Sequence, residues 1–167
     1  MPSYYLDANA LVTYYIETEG ATGKQNLRRL VSDHQAYISP LTQLEFVHVL
    51  MKFTRKGLLR LSNAKSYVKE LISDTQVTGQ IVRRPFRMID LPDGVFKRAE
   101  RLLLDNGDLS IGSADMLHIA IIEKQRAQII DLTMITSDGG ATDGKMKKVC
   151  QKIGIPFFDP ELSDYAP

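Results

Sequence analysis

The chain has 167 residues, 44% hydrophobic and 25% charged, the profile of an ordinary globular domain large enough to bury a core without disulfides or structural metal. No apolar run approaches the roughly 18 residues of a membrane span. No basic-then-apolar leader opens the sequence, and the lone Cys150 leaves no intrachain disulfide or multi-cysteine zinc site, so a cytoplasmic, reducing location is expected. With 21 Lys and Arg against 20 Asp and Glu, the formal charge of +1 does not by itself advertise nucleic acid.

In chain order, the pattern predicts a strand over 3–6, a helix over 24–32, a strand over 36–38 and a helix over 41–54. A helix over 62–75 follows, with 62–79 reading as an inserted or appended element, then a strand over 86–89 and helices over 94–106 and 113–125. A strand over 133–136, a helix over 145–153 closed by Gly154 as its C′ residue, and a strand over 155–158 complete the series. Short apolar runs alternating with helical periods predict an α/β fold with a mostly parallel central sheet, a single domain over 1–167. The helices over 41–54 and 113–125 are apolar nearly all round, as if packed on a sheet and beneath other helices.

Each of those two helices carries a carboxylate near its start, Glu45 and Asp115, and two more acids, Asp7 and Asp138, directly follow predicted strands. Each has a bland explanation. Asp7 suits a helix N-cap, Thr42 to Glu45 fits a capping box, and Asp115 suits a first helical turn capped by Ser113. Asp138, before Gly139 and Gly140, suits a turn. Ser39 followed by Pro40 argues for an earlier start to the second helix, which would move Glu45 more than one turn inward. Jointly, the order of elements brings all four acids to one edge of one sheet, where side chains beyond parallel strand ends collect in a crevice. Clustered carboxylates repel unless a cation shares them. Mg2+ or Mn2+, with hard oxygen ligands and retained waters, is the economical partner and suits hydrolysis of a phosphodiester.

Tyr5-Leu6-Asp7-Ala8-Asn9, Ser39-Pro40-Leu41-Thr42-Gln43-Leu44-Glu45, Ser113-Ala114-Asp115-Met116-Leu117-His118-Ile119-Ala120 and Ile135-Thr136-Ser137-Asp138 occur in that order, with Gly154-Ile155-Pro156 downstream. In this the chain resembles PIN-domain proteins, and more narrowly VapC-type toxin ribonucleases. The resemblance implies a three-layer α/β/α fold and a Mg2+- or Mn2+-dependent endoribonuclease acting on RNA. It also implies a homodimer inhibited by a cognate antitoxin. Asp7, Glu45, Asp115 and Asp138 match the family's metal-binding, catalytic acids, while Asn9 and Thr136 match polar positions that orient them. Asp143 could add an acid or replace Asp138. The stretch over 62–84 is longer than in the smallest toxins, which keeps open a non-toxin PIN nuclease of RNA processing; a catalytically silent PIN-fold module binding RNA or protein is the other alternative.

Other motifs carry less. Residues 139–145 nearly complete a phosphate-binding loop, but Met146 stands where the metal-linking hydroxyl belongs. Asp7 is followed two residues on by Asn9, not by the second Asp of a phosphoaspartate phosphatase. His118 and His48, each three residues after an acid, read first as satisfied core histidines, with a role beside the acids as the alternative. Basic groups at Lys52, Arg55, Lys56 and Arg60, at Arg83, Arg84 and Arg87, and at Lys145, Lys147, Lys148 and Lys152 read as solvated faces, some of which an RNA backbone would need.

Overall fold

Side-chain alternation in the first strand decides how the layers are arranged. In β1 (Ser3–Leu6), Tyr5 is buried in one apolar cluster and Leu6 in another, on opposite faces of the sheet. The computed structural model describes residues 2–16, 21–75, 84–137 and 144–162. β1 pairs in parallel with β2 (Gln35–Ile38) on one side and β4 (Leu132–Ile135) on the other. β3 (Phe86–Met88) and β5 (Phe157–Phe158) form the edges, giving the order β3-β2-β1-β4-β5.

Helices α1 (Ala8–Tyr15), α2 (Ala21–Asp33), α3 (Pro40–Arg55) and α4 (Leu61–Thr75) cover one face around Leu6, Leu27, Ile38, Phe46 and Leu71. Helices α5 (Val95–Asp105), α6 (Ser113–Gln125) and α7 (Lys145–Ile153) cover the other around Tyr5, Leu102, Ile119, Met134 and Val149. The three-layer α/β/α arrangement with a parallel sheet is therefore present. Strand order runs outward in opposite directions from β1 and β4, so their carboxyl ends form the topological switch point, where open α/β sheets place their crevice.

Local chemistry sets the helix ends that matter for that crevice. Asp7, in extended conformation, caps α1 by accepting from Ala10 N–H at 2.7 Å. At α3, Ser39 Oγ accepts from Thr42 N–H while Thr42 Oγ1 accepts from Ser39 N–H, and Pro40 occupies the first turn. The box thus closes on Thr42, and Glu45 sits more than a turn inside the helix with its carboxylate free of capping. Gly154 ends α7 at φ 72°, and Ile155 N–H reaches back to Cys150 O at 2.8 Å.

Several expectations need correction. Ser113 does not cap α6; Gly112 holds that position without a side-chain bond, though Asp115 still falls in the first turn. The helix α3 is not apolar all round in its setting, since Leu44 is 67% exposed and Thr42, Phe46 and Leu50 are its buried positions. The eight-residue α1 was absent from the predicted helices because it is too short to show a helical period and is held by its cap and its packing. The final strand shortens to Phe157–Phe158 because the cap at Gly154 occupies Ile155. Lys147 does not belong to a solvated face: it is buried, with its ammonium 2.5 Å from the equally buried Asp159.

That pair ties α7 to the segment after β5. Replacing Lys147 with Met strands the Asp159 carboxylate in the core, and urea unfolding is expected to show a loss of about 3–5 kcal/mol. Replacing both partners by apolar residues is expected to restore most of it.

Candidate functional site

β1 ends at Leu6, directly opposite Ile135 of β4, so the residues that follow, Asp7 and Thr136, emerge side by side at the switch point. Asp7 is 3% exposed. Its carboxyl pKa is pushed up to about 6 by burial; the Ala10 N–H bond, the His118 imidazole and a hydrogen bond with Thr136 act in the opposite direction, and Asp115 adds to the rise. A single buried carboxyl thus feels the two groups contributed by α6.

Asp115 lies in the first turn of α6, near the positive end of the helix dipole. A Cβ on Gly112 would stand 3.1 Å from Asp115 Oδ2, so a side chain there would move that carboxylate by a few tenths of an ångström. From the other layer, α3 supplies Glu45, whose Oε2 is 2.6 Å from His118 Nε2. His118 is 1% exposed, and its Nδ1 is 2.7 Å from the Tyr5 hydroxyl, which in turn meets Ser39 Oγ at 2.8 Å. Burial holds the Tyr5 phenol well above its usual pKa and therefore neutral.

These groups line one cavity of about 390 Å3, bounded by Asp7, Ala8, Asn9, Leu44, Glu45, His48, Val49, Asp115 and His118. Its volume corresponds to several waters at ~30 Å3 each. Asp7, Glu45 and Asp115 offer only hard oxygen donors, and Mg2+ or Mn2+ is commonly held by one or two carboxylates with water completing the shell, so the donor set and the space fit a hydrated divalent ion. Among the described residues, no three His, Cys, Asp or Glu side chains stand close enough together to hold a metal by themselves. Glu45 is drawn toward His118 instead.

Of the residues expected from sequence, Asp7, Asn9, Glu45 and Asp115 border this cavity, and Thr136 lies buried behind Asp7. Asp138 and Asp143 lie outside the described residues. His118 is the satisfied core histidine its apolar helix suggested, yet the same ring reaches a cavity acid; its three-residue spacing from Asp115 was the available signal. His48, expected in the core, is instead exposed at the rim, because α3 turns this position away from its buried face. Cys150 is buried with its thiol pushed up to about 12 by desolvation, consistent with a packing role. No described helix is long and apolar enough to cross a membrane.

Comparison with known proteins agrees with this arrangement. Residues 4–140 match the family model of the PIN domain. No curated protein matches the chain. The fold is similar to a chain of VapBC2 from Rickettsia felis, crystallised with a DNA fragment from its promoter, at 19% identity and a TM-score of 0.60, covering 94% of this chain and 98% of that one. FitAcB from Neisseria gonorrhoeae gives 19% identity and a TM-score of 0.58 over 94% and 97%. A chain of a toxin-antitoxin complex from Klebsiella pneumoniae gives 15% and 0.54 over 96% and 99%.

The raised Asp7 pKa has a measurable consequence in the absence of metal. Between the unfolded value of 3.8 and the folded value of about 6, the folded state holds a proton that the unfolded state has released, so this group's contribution to stability falls as pH rises through that window. Two units correspond to ~3 kcal/mol. Asp7→Asn, which keeps a competent N-cap, is expected to raise the melting temperature of the metal-free protein at pH 8, with the advantage over the unsubstituted chain shrinking toward pH 4. Parallel melting curves would show the group to be uncoupled from stability.

Proposed function

The chain belongs to the PIN domain family, and from that membership and its acidic cavity we propose that it is a Mg2+- or Mn2+-dependent endoribonuclease, the toxin of a toxin–antitoxin pair. The observation that carries this reading is the convergence of Asp7, Glu45 and Asp115, from three separate elements, on one cavity at the sheet's switch point. The toxin assignment draws on structural neighbours such as the Klebsiella pneumoniae toxin-antitoxin complex and on the resemblance of the sequence motifs. A cognate antitoxin and a second copy of the chain are the proposed partners.

In this reading Asp7 and Asp115 hold the divalent ion, with Glu45 joining directly or through water and Asp138 as the proposed fourth acid, for which Asp143 is the alternative. Bound there, such an ion lowers the pKa of water and offsets charge on the phosphoryl group during in-line hydrolysis. The chain's own contribution is positional. Ala10 N–H and Thr136 fix the Asp7 carboxylate from behind, so its ligating geometry is set before substrate arrives. Leu44 and Val49 form an apolar wall on the same cavity, and Asn9 offers a polar side chain at its exposed rim. Water attacks the phosphodiester in line, and no covalent intermediate with the enzyme forms.

Asp7→Asn and Asp115→Asn are each expected to lower Mn2+-dependent cleavage of a fluorescent RNA by on the order of 100-fold with an unchanged circular dichroism spectrum. Full activity in either variant contradicts the assignment. Calorimetric titration that detects no binding at millimolar Mn2+ would instead favour a silent binding module, and growth arrest on expression, relieved by a co-expressed partner, separates a toxin from a housekeeping nuclease.

A further inference from the structure

We propose that His118 is a positioning residue, which holds the Glu45 carboxylate at the cavity wall and is itself locked in one ring orientation by Tyr5; the inference rests on the nuclease reading above. The geometry is a single chain of contacts: Ser39 Oγ to the Tyr5 hydroxyl at 2.8 Å, that hydroxyl to His118 Nδ1 at 2.7 Å, and His118 Nε2 to Glu45 Oε2 at 2.6 Å.

Proton accounting gives the chain one direction. An ionised Glu45 only accepts, so Nε2 carries a proton and donates to it; in the neutral ring Nδ1 is then the lone pair that accepts from the Tyr5 O–H. The Tyr5 oxygen then accepts from the Ser39 O–H. Thr42 cannot reverse the sequence, because its hydroxyl donates to Leu6 O at 3.1 Å while its oxygen accepts from Ser39 N–H. The series runs from the buried Ser39 and Tyr5 to the cavity, which His118 and Glu45 both line.

Burial separates this from an incidental contact. Tyr5, Ser39 and Thr42 are fully buried and His118 is 1% exposed, whereas the side chain of Glu45 is 30% exposed and lines the cavity. A core histidine filling space on α6 would be satisfied by Tyr5 alone. Here its second nitrogen spans from α6 to α3 and ends on a carboxylate that α3 does not otherwise restrain. The tether also draws Glu45 away from unrelieved repulsion with Asp7 and Asp115, so three acids can share one cavity before any cation arrives.

Two isosteric halves of the imidazole test this. His118→Gln retains a donor near the Nε2 position and can still reach Glu45, whereas His118→Asn retains only the Nδ1 side facing Tyr5. If His118 positions Glu45, the Gln variant is expected to stay within about threefold of the unsubstituted chain in Mn2+ affinity by calorimetry, and the Asn variant to fall about 10–100-fold in Mn2+ affinity or in kcat for RNA cleavage, KM holding steady. Melting temperatures of the two variants are expected to agree.

A readout independent of activity is the long-range 1H–15N spectrum of the metal-free protein, which is expected to show Nε2 as the protonated nitrogen and to shift that resonance in Glu45→Leu. Gln and Asn variants that are equal in Mn2+ affinity and cleavage, or an Nε2 resonance unmoved by Glu45→Leu, overturn the proposal while leaving the nuclease reading intact. An unsubstituted chain that neither binds Mn2+ nor cleaves RNA overturns the nuclease reading, and this positioning role with it.

Discussion

Removing an ionised carboxylate from water costs several kcal/mol even after the surroundings relax, and Asp7 sits almost wholly out of solvent at the end of the central strand. The arrangement around it is best understood as a partial offset of that cost. The Ala10 N–H and the α1 terminus supply local positive charge, Thr136 supplies a hydroxyl from the neighbouring strand end, and His118 supplies an imidazole from α6. These groups do not complete the compensation, because the carboxyl remains displaced upward to about 6 by desolvation with Asp115 adding to it. A residual electrostatic deficit at a fixed, pre-oriented oxygen is what a cation-binding position needs. On the proposed reading, stability is given up locally in exchange for affinity for a cation.

Topology explains why the deficit can be shared among separate helices. Parallel strands present their carboxyl ends at one edge, and each is followed by a chain segment that must turn back through a helix. With β1 and β4 adjacent and the order reversing between them, α1 begins at Asp7 directly above the switch point. The neighbouring strand β2 leads through Ser39 into α3, and α6 brings its own first turn alongside. Acids on these helices meet although 38 residues separate Asp7 from Glu45 and 70 separate Glu45 from Asp115. The hydrogen-bonded series from Ser39 through Tyr5 and His118 to Glu45 ties β1, α6 and α3 together beside the cavity.

The sequence made the place of Asp7 legible, because a short apolar run precedes it and β1 begins and ends where its pattern places it. It also made α6 and α7 legible to the residue: α6 is an apolar run too long for a strand, and α7 is strongly amphipathic and closed by Gly154. The role of Glu45 was harder to read. Thr42 and Glu45 have capping-box spacing, and only the position of Ser39 and Pro40 shows that the box closes one turn earlier, which frees Glu45 for the cavity. The exposure of Leu44 was hidden for a related reason: composition reports how apolar a helix is, but not which side its neighbours leave open. For His118 the sequence offered only its spacing from Asp115; its actual partners, a tyrosine 113 residues away and a carboxylate from the opposite layer, were not legible.

A net charge of +1 conceals how unevenly the charges are placed. The basic residues do not contribute equally to the outside of the molecule. Lys147 is consumed in the core by Asp159, while Lys145 and Lys152 donate to backbone carbonyls at Ser110 and Asp105. Lys145 and Lys152 remain exposed, as do Lys52, Arg55, Lys56 and Arg60 at and beyond the carboxyl end of α3. Glu45, His48 and Lys52 follow one another at spacings of three and four residues, so they occupy one face of that helix. Seven residues rise about 10 Å, and over that distance the face passes from a carboxylate at the cavity to an exposed ammonium. A polyanion whose scissile phosphate met the acidic cavity through a bound cation would find the opposite charge two helical turns away on the same element. Along this one helix the acid lies at the cavity and the bases away from it, which a total near zero cannot report.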